Sequence, residues 1–258
     1  MQRTKTRIDI SKIPSSIAGL IGDARIYNSS CSETAKTFLI EGKDNFYLKI
    51  RRKGELLREY QMTSFLYRHG FASRPVVHET DGDNDYLLTE ALAGEDGISG
   101  GHLEDPRKLA GVFGESLREL HSLSMTGCPY NGRTAEMLQE IEDKIPAGPG
   151  DTAILAEGKA KAVKKLHDMK RIAMDDAVLH GDYCLPNIIM EKYHLRGFVD
   201  LGYGGIGDRH YDIFWGIWTL NYNLRTNSCR DIFLDAYGRR DLDRDRLELC
   251  RLIAGLTG

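Results

Sequence analysis

His180-Gly181-Asp182-Tyr183-Cys184-Leu185-Pro186-Asn187 is the stretch on which the reading of this chain turns. The order His-x-Asp-x-x-x-x-Asn sets a carboxylate and an amide one short loop apart. Phosphoryl transfer needs such a pair: the carboxylate accepts the proton of an attacking hydroxyl, and the amide oxygen ligates magnesium. Pro186 stiffens the connection, and the apolar run Asn187-Ile188-Ile189-Met190 anchors it to a strand. Taken alone, the loop has a bland alternative, a turn with an Asn or Asp cap, which is the weaker of the two readings. It does not stand alone. Glu191-Lys192-Tyr193-His194 separates that run from Gly197-Phe198-Val199, a hairpin pattern, and Asp200-Leu201-Gly202 follows. An Asp that ends an apolar strand before a glycine turn presents its carboxylate at the strand's edge. Asp200 is thereby a second candidate magnesium ligand.

Further toward the N-terminus, Phe38-Leu39-Ile40 and Phe46-Tyr47-Leu48-Lys49-Ile50 flank Glu41-Gly42-Lys43-Asp44-Asn45, which reads as a hairpin. Period-two geometry puts Phe46, Leu48 and Ile50 on one face, Tyr47 and Lys49 on the other. The first set fills a core. The second offers an aromatic ring for a nucleobase and a positive charge for phosphates, although a lone strand would make Lys49 an ordinary surface lysine. The charged stretch Gly54 to His69 is expected to be helical, with Gly70 as its stop. Glu59 on that helix is placed to clamp Lys49 in an ion pair. Glu55, one turn earlier, competes; Leu56 and Tyr60 flank Glu59 with apolar positions that dock the helix and favour it.

Two more strands are expected at Val76-Val77-His78 and Tyr86-Leu87-Leu88-Thr89. The glycine-rich stretch from Ala93 to Gly101 reads as a linker or surface loop. Beyond it Leu109, Val112, Phe113, Leu117 and Leu120 recur at helical spacing after the start signal Asp105-Pro106. Further helices are expected around Met137, from Ala160 to Met169, and from about Asp208 onward. The class is α+β, with a small β-rich lobe over residues 1–91 and a larger helical lobe over 92–258.

Composition narrows the function. Of 258 residues, 41% are hydrophobic and 28% charged, as in an ordinary globular protein. With 35 basic against 38 acidic residues the net charge is −3, so no basic field draws nucleic acid or an anionic membrane. No apolar run is long enough for a bilayer, and no apolar region follows the basic start to make a secretory signal. The five cysteines are scattered without a C-x-x-C pair, which argues against structural zinc and for free thiols in a reducing cytoplasm.

Val178 to Asn187, then Gly197 to Gly202, then Gly207-Asp208-Arg209-His210-Tyr211-Asp212-Ile213 closely resemble the aminoglycoside phosphotransferases, most of all the 3′-phosphotransferases. The resemblance extends through Phe46-Tyr47-Leu48-Lys49, Leu88-Thr89-Glu90-Ala91, Leu120-His121-Ser122 and Cys128-Pro129-Tyr130. It implies a protein-kinase-like bilobal fold and transfer of the γ-phosphoryl of ATP or GTP to an antibiotic hydroxyl. By position it makes Asp182 the catalytic base, and Asn187 and Asp200 the Mg2+ ligands. It sets Lys49, held by Glu59, on the α- and β-phosphates, and stacks Tyr47 on the base. The backbone of Glu90 and Ala91 then meets the base edge, and Ser32 in Asn28-Ser29-Ser30-Cys31-Ser32 touches phosphate. Asp208 and Asp212 brace the catalytic loop, while His121 and His180 are structural.

Three departures bear on the acceptor. Family members usually follow the D-x-G with a basic residue, where this chain has Tyr203. They often carry an acidic pair in the next helix, where it has Asn221-Tyr222-Asn223. They commonly end in acidic residues and Phe, where it has Ile253-Ala254-Gly255-Leu256-Thr257-Gly258. Glu136, Glu140, Glu142, Asp143, Asp151 and Glu157 are candidates to compensate, or else a solvated acidic face. Two further readings remain beside the aminoglycoside: a kinase of another small hydroxylated metabolite or antibiotic, and a kinase-like module without catalysis. The oligomeric state is open.

Overall fold

A computed structural model describes residues 3–30, 35–144, 151 and 153–257. They fall into two units, Met1–Gly100 with Pro186–Tyr203, and Gly101–Leu185 with Gly204–Gly258. The first unit starts with strand β1 (Thr4–Thr6), helix α1 (Ser15–Ile21), β2 (Arg25–Asn28), β3 (Lys36–Glu41) and β4 (Asn45–Arg52). Helix α2 (Leu57–Arg68), β5 (Pro75–Thr80) and β6 (Asn84–Glu90) come next. The six strands form an antiparallel sheet in the order β1-β2-β3-β4-β6-β5. Strands β3 and β4 are the hairpin expected from sequence. Phe46 and Leu48 are buried with Ile17, Ile40 and Leu88, and Ile50 packs against that cluster. Tyr47 and Lys49, on the alternate positions, keep some exposure, although the Lys49 side chain is mostly buried. Pairing on both edges fixes the register of β4, with Lys49 between Thr37 of β3 and Leu87 of β6.

Helix α2 has no side-chain cap of its own at Leu56. Asp85 of β6 supplies one: its Oδ2 accepts the N–H of Gly54 at 2.9 Å and of Leu56 at 3.0 Å. Burial pushes the Asp85 carboxyl up, and these bonds with that of Thr80 bring it below its ordinary value. The helix is thereby tied to the sheet at the end that carries Glu59. Gly70, at φ 80°, ends it as expected. The glycine-rich stretch is more than a linker, because it holds a short strand β7 (Glu95–Asp96). Gly94, at φ 112°, allows this: a Cβ there would lie 2.3 Å from the carbonyl oxygen of Met190.

The second unit opens with α3 (Pro106–His121), which Asp105 caps by accepting the N–H of Lys108 at 3.0 Å. Leu109, Phe113, Leu117 and Leu120 are fully buried, as their spacing predicts, while Val112 at the edge of that face is only partly buried. Helices α4 (Arg133–Lys144) and α5 (Lys159–Met169) and strand β8 (Ala177–Leu179) complete this segment. The chain then rejoins the first unit through β9 (Ile188–Glu191) and β10 (His194–Phe198). Lys192 and Tyr193, at φ 50° and 64°, close that hairpin with the left-handed pair that suits strand twist. Strand β9 lies between β10 and β7, and the N–H of Phe198 bonds the carbonyl of Phe71 at 2.7 Å. Back in the second unit, β11 (Gly205–Gly207) pairs with β8, and the chain ends in α6 (His210–Leu224), α7 (Arg230–Tyr237) and α8 (Arg244–Thr257). Their core joins Met137, Ile141, Leu166, Leu249 and Ile253. Among the described residues no helix is long and apolar enough to cross a membrane.

Glu248 links α5 to α8, bonding Lys165 at 2.5 Å and Arg251 at 2.7 Å. Hydrogen bonds from Arg251 and Lys165 pull its carboxyl down to about 2. A folded value below the unfolded one adds stability above the ordinary carboxylate range, and that stability is lost as pH falls toward about 2. Acid unfolding between pH ~4.5 and ~2, measured by circular dichroism, should therefore be less steep in Glu248→Gln than in the parent.

Candidate active site

In the first unit a buried ammonium sits between two carboxylates. Lys49 Nζ donates to both carboxylate oxygens of Glu59 at 2.9 Å and to Asp200 Oδ1 at 2.5 Å. Glu55 turns instead to Arg51, at 3.0 Å, so the docked face of α2 is the one bearing Glu59. Burial alone would lower the pKa of Lys49, but the charges of Glu59 and Asp200 hold it above its ordinary value, so it stays an ammonium. Burial pushes the Glu59 carboxyl up against the pull of Lys49. Asp200 is the exposed member, its side chain 46% accessible, and its backbone is left-handed at φ 59°. A non-glycine residue there is strained by about 1–3 kcal/mol, and the bond to Lys49 helps to hold it. Asn187 is buried in the same unit, its carbonyl taking the N–H of Val199 at 3.0 Å. A carboxylate and an amide oxygen are hard donors. They suit Mg2+, which takes one or two protein oxygens and completes its shell with water and phosphate.

The second unit holds the first part of the loop, through Leu185. Asp212, fully buried at the start of α6, accepts the N–H of His180 at 2.7 Å and of Gly181 at 2.9 Å. His121 Nε2 lies 3.3 Å from the same carboxylate, and its Nδ1 lies 3.0 Å from the Tyr237 hydroxyl. Because the carboxylate only accepts, the ring proton belongs on Nε2 and the Tyr237 hydroxyl donates to Nδ1. Beyond Asp182, Tyr183 is sealed in the core, stacked on Phe113 at 4.5 Å, and donates to its carbonyl at 2.7 Å. Leu185 N–H bonds Thr219 Oγ1 at 3.3 Å. Asp182 lies half-buried between these anchors, its N–H on His180 Nδ1 at 3.2 Å and its carbonyl taking the N–H of Cys184 at 2.8 Å. Burial and the neighbouring Asp182 push the Cys184 thiol up, which leaves it protonated and unreactive.

Asp208 does not share the bracing role expected of it. Its carboxylate takes His210 Nδ1 at 2.9 Å and Arg246 Nε at 2.9 Å, while Arg246 also bonds Asp176 at 2.9 Å. It ties α8 to the segment ahead of β8 and leaves the loop to Asp212. Ser32 lies outside the described residues. Tyr47 lies beside Lys49 on β4, and Arg3 bonds its hydroxyl at 3.2 Å. The N–H groups of Glu90 and Ala91 are already used, by the carbonyls of Arg74 at 2.9 Å and Asn45 at 2.8 Å. A base edge that engages either N–H must displace those bonds.

The six acidic residues that were candidates to compensate, an acidic wall in that reading, are also engaged. Arg133 bonds Glu136 at 3.2 Å and Glu140 at 3.0 Å, Lys170 bonds Glu142 at 3.1 Å, and Arg251 bonds Glu157 at 2.5 Å. Asp143 accepts from Gln139 at 3.0 Å, and Asp151 from the N–H of Ala153 at 2.8 Å. The four glutamates are answered by the chain's own cations and the two aspartates by neutral donors, as on a solvated acidic face. The sequence signal was present in the basic residues at Arg133, Lys170 and Arg251, which spacing alone did not connect to them.

A family model described as "Phosphotransferase enzyme family" matches residues 28–250. A relative from Lactococcus lactis, "Probable aminoglycoside 3'-phosphotransferase", is 36% identical over 247 residues, covering 94% of each chain. The chain belongs to the aminoglycoside phosphotransferase family. An "Aminoglycoside 3'-phosphotransferase" of Niallia circulans is 33% identical over 64% of this chain and 65% of its own. Among solved structures, an aminoglycoside-3′-phosphotransferase of type VIII superposes with TM-score 0.76 at 20% identity, covering 93% of this chain and 97% of that one. A Streptomyces rimosus aminoglycoside phosphotransferase in complex with ADP and streptomycin gives 0.75 at 22% identity, covering 98% and 100%. The family fold is thus the protein-kinase-like α+β class, with its antiparallel sheet toward the N-terminus and its helices toward the C-terminus.

Asp212→Asn turns one acceptor oxygen into a donor facing a backbone N–H. Losing a buried charged hydrogen bond costs about 1.5–3 kcal/mol, or roughly 5 °C in melting temperature for a chain of this size. Scanning calorimetry should show that drop, and steady-state assay at least a tenfold loss of kcat with nucleotide KM kept. Wild-type kcat would contradict the bracing role.

Proposed function

We propose that this protein is an antibiotic kinase that moves the γ-phosphoryl of ATP or GTP to a hydroxyl, the 3′-hydroxyl by the names of its relatives, of an aminoglycoside. The observation that carries the reading is the ammonium of Lys49 fixed between Glu59 and the exposed Asp200. A fixed positive charge beside a hard-donor carboxylate matches what a nucleotide's phosphates and their magnesium require. Residues 1–91 then make the nucleotide-binding lobe and residues 92–258 the catalytic and acceptor-binding lobe.

Lys49 meets the α- and β-phosphates in this reading, and Ser32 touches phosphate. Tyr47 stacks on the base, and the Glu90–Ala91 segment takes the base edge by exchanging its internal bonds. Asn187 and Asp200 would hold Mg2+, which would supply positive charge to the nucleotide's phosphates. Asp182 orients the acceptor hydroxyl and accepts its proton as the oxygen attacks in line with the leaving β-phosphate oxygen. Positioning does most of the work, so the rigid anchoring of the loop by Asp212, Tyr183 and Thr219 counts as much as the identity of the base. The four described cysteines are free thiols, which fits a reducing cytoplasm.

A kinase of another small hydroxylated compound is the second reading, favoured by the internal pairing of the acidic wall. Incubation with Mg·ATP or Mg·GTP and kanamycin, neomycin or streptomycin should add one phosphate to an aminoglycoside, read by mass spectrometry. Asp182→Asn should lose about 10²- to 10⁴-fold in turnover while binding ADP like the parent. Near-normal turnover in that variant would show the base to be misassigned.

A further inference from the structure

The C-terminal half of α6 is held against the catalytic loop by Thr219, whose Oγ1 takes the N–H of Leu185 at 3.3 Å. Asn223, one turn on, is spent on the same residue: its Nδ2 donates to Thr219 O at 2.8 Å and Oγ1 at 3.1 Å. On the adjoining face a ladder of rings leads from the core outward. Trp215 meets Trp218 edge-on at 5.5 Å, and Trp218 stacks on Tyr222 at 5.0 Å with 9° between planes. The ladder ends in a cation, the Arg225 guanidinium lying 5.2 Å from the centre of the Tyr222 ring. Both tryptophans pack against the helical core, whereas Tyr222 is 54% exposed.

The backbone of Arg225 is unusual. It ends α6 in the left-handed region at φ 55°, a position normally given to glycine or asparagine. Its side chain is exposed, and among the described residues no carboxylate pairs with it. This cation sits on an exposed ring at the end of the helix whose Thr219 holds the loop bearing Asp182, in a backbone conformation that costs stability.

We infer that Arg225 is a specificity-determining residue of the acceptor subsite, selecting acceptors whose ring at α6 carries hydroxyls rather than ammonium groups. The inference rests on the reading of Asp182 as the base, which puts the acceptor beside this helix. The guanidinium repels an ammonium held near it and donates to hydroxyl oxygens. The committed acids of α4 offer no counterweight, so an ammonium-rich acceptor meets a cation here and no unpaired carboxylate among Glu136, Glu140, Glu142 and Glu157.

The test compares the parent with Arg225→Gly, which suits the left-handed backbone, and with Arg225→Lys, which keeps the charge. At low ionic strength kcat/KM for neomycin should rise about fivefold in the glycine variant, nucleotide KM staying constant. The gain should vanish at ~0.5 M salt, where an exposed repulsion is screened, and the lysine variant should behave as the parent. A glycine-to-parent ratio near one at low salt, or one that salt does not change, overturns the inference while leaving the kinase reading intact. Absence of phosphorylation of kanamycin, neomycin and streptomycin by parent and variants alike overturns the kinase reading, and the inference with it.

Discussion

A lysine ammonium buried on a sheet is costly unless carboxylates meet it, and the first unit is arranged around meeting the one at Lys49. Strand β4 holds it in register through partners on both edges. One counter-charge, Glu59, comes from α2, whose first turn is pinned to the sheet by Asp85. The other, Asp200, comes from the segment after β10 in a left-handed conformation. Removing either acid weakens the compensation of the ammonium, so sheet, helix and hairpin are bound by one electrostatic condition. That condition also leaves an exposed carboxylate next to a fixed positive charge, which is the chemical content of the nucleotide-binding reading.

The second unit solves a parallel problem with a buried anion. Among the described residues Asp212 has no basic side chain against it other than the imidazole of His121; backbone N–H groups and that ring satisfy it. Its position is set by α6, and through it the main chain just ahead of Asp182 is fixed. Tyr183 and Thr219 fix the main chain on the other side of Asp182. A loop held at three points by buried groups has little freedom to lose when an acceptor binds, and that is the preorganisation phosphoryl transfer draws on. Asp208, close in sequence to Asp212, serves a different network through Arg246 and His210.

Much of this was legible in the chain because it depended on local patterning. The β3–β4 hairpin, the alternation that separates Leu48 from Lys49, the helix from Asp105 and the hairpin before Asp200 all result from periodicity and turn chemistry. The choice of Glu59 over Glu55 was legible as a preference, because apolar neighbours mark the docked face of a helix. What escaped depended on partners remote in sequence. The pairing of β7 with β9, the commitment of the Glu90 and Ala91 N–H groups, and the division of labour between Asp208 and Asp212 are tertiary facts. So is the neutralisation of the acidic wall: Glu157 reads as available until Arg251, on the last helix, is placed beside it. The guanidinium of Arg225 over Tyr222 is legible only as a spacing of three along a helix, which does not reveal the left-handed backbone that ends it.

Asp200 offers the most direct test, since the ammonium, the strained backbone and the assigned metal all meet there. Isothermal titration of ADP into the parent and into Asp200→Asn, each with and without Mg2+, isolates that role. If Asp200 holds the metal, Mg2+ tightens ADP binding to the parent, and the variant loses at least tenfold of that gain while still binding metal-free ADP. An equal gain from Mg2+ in both proteins would contradict it.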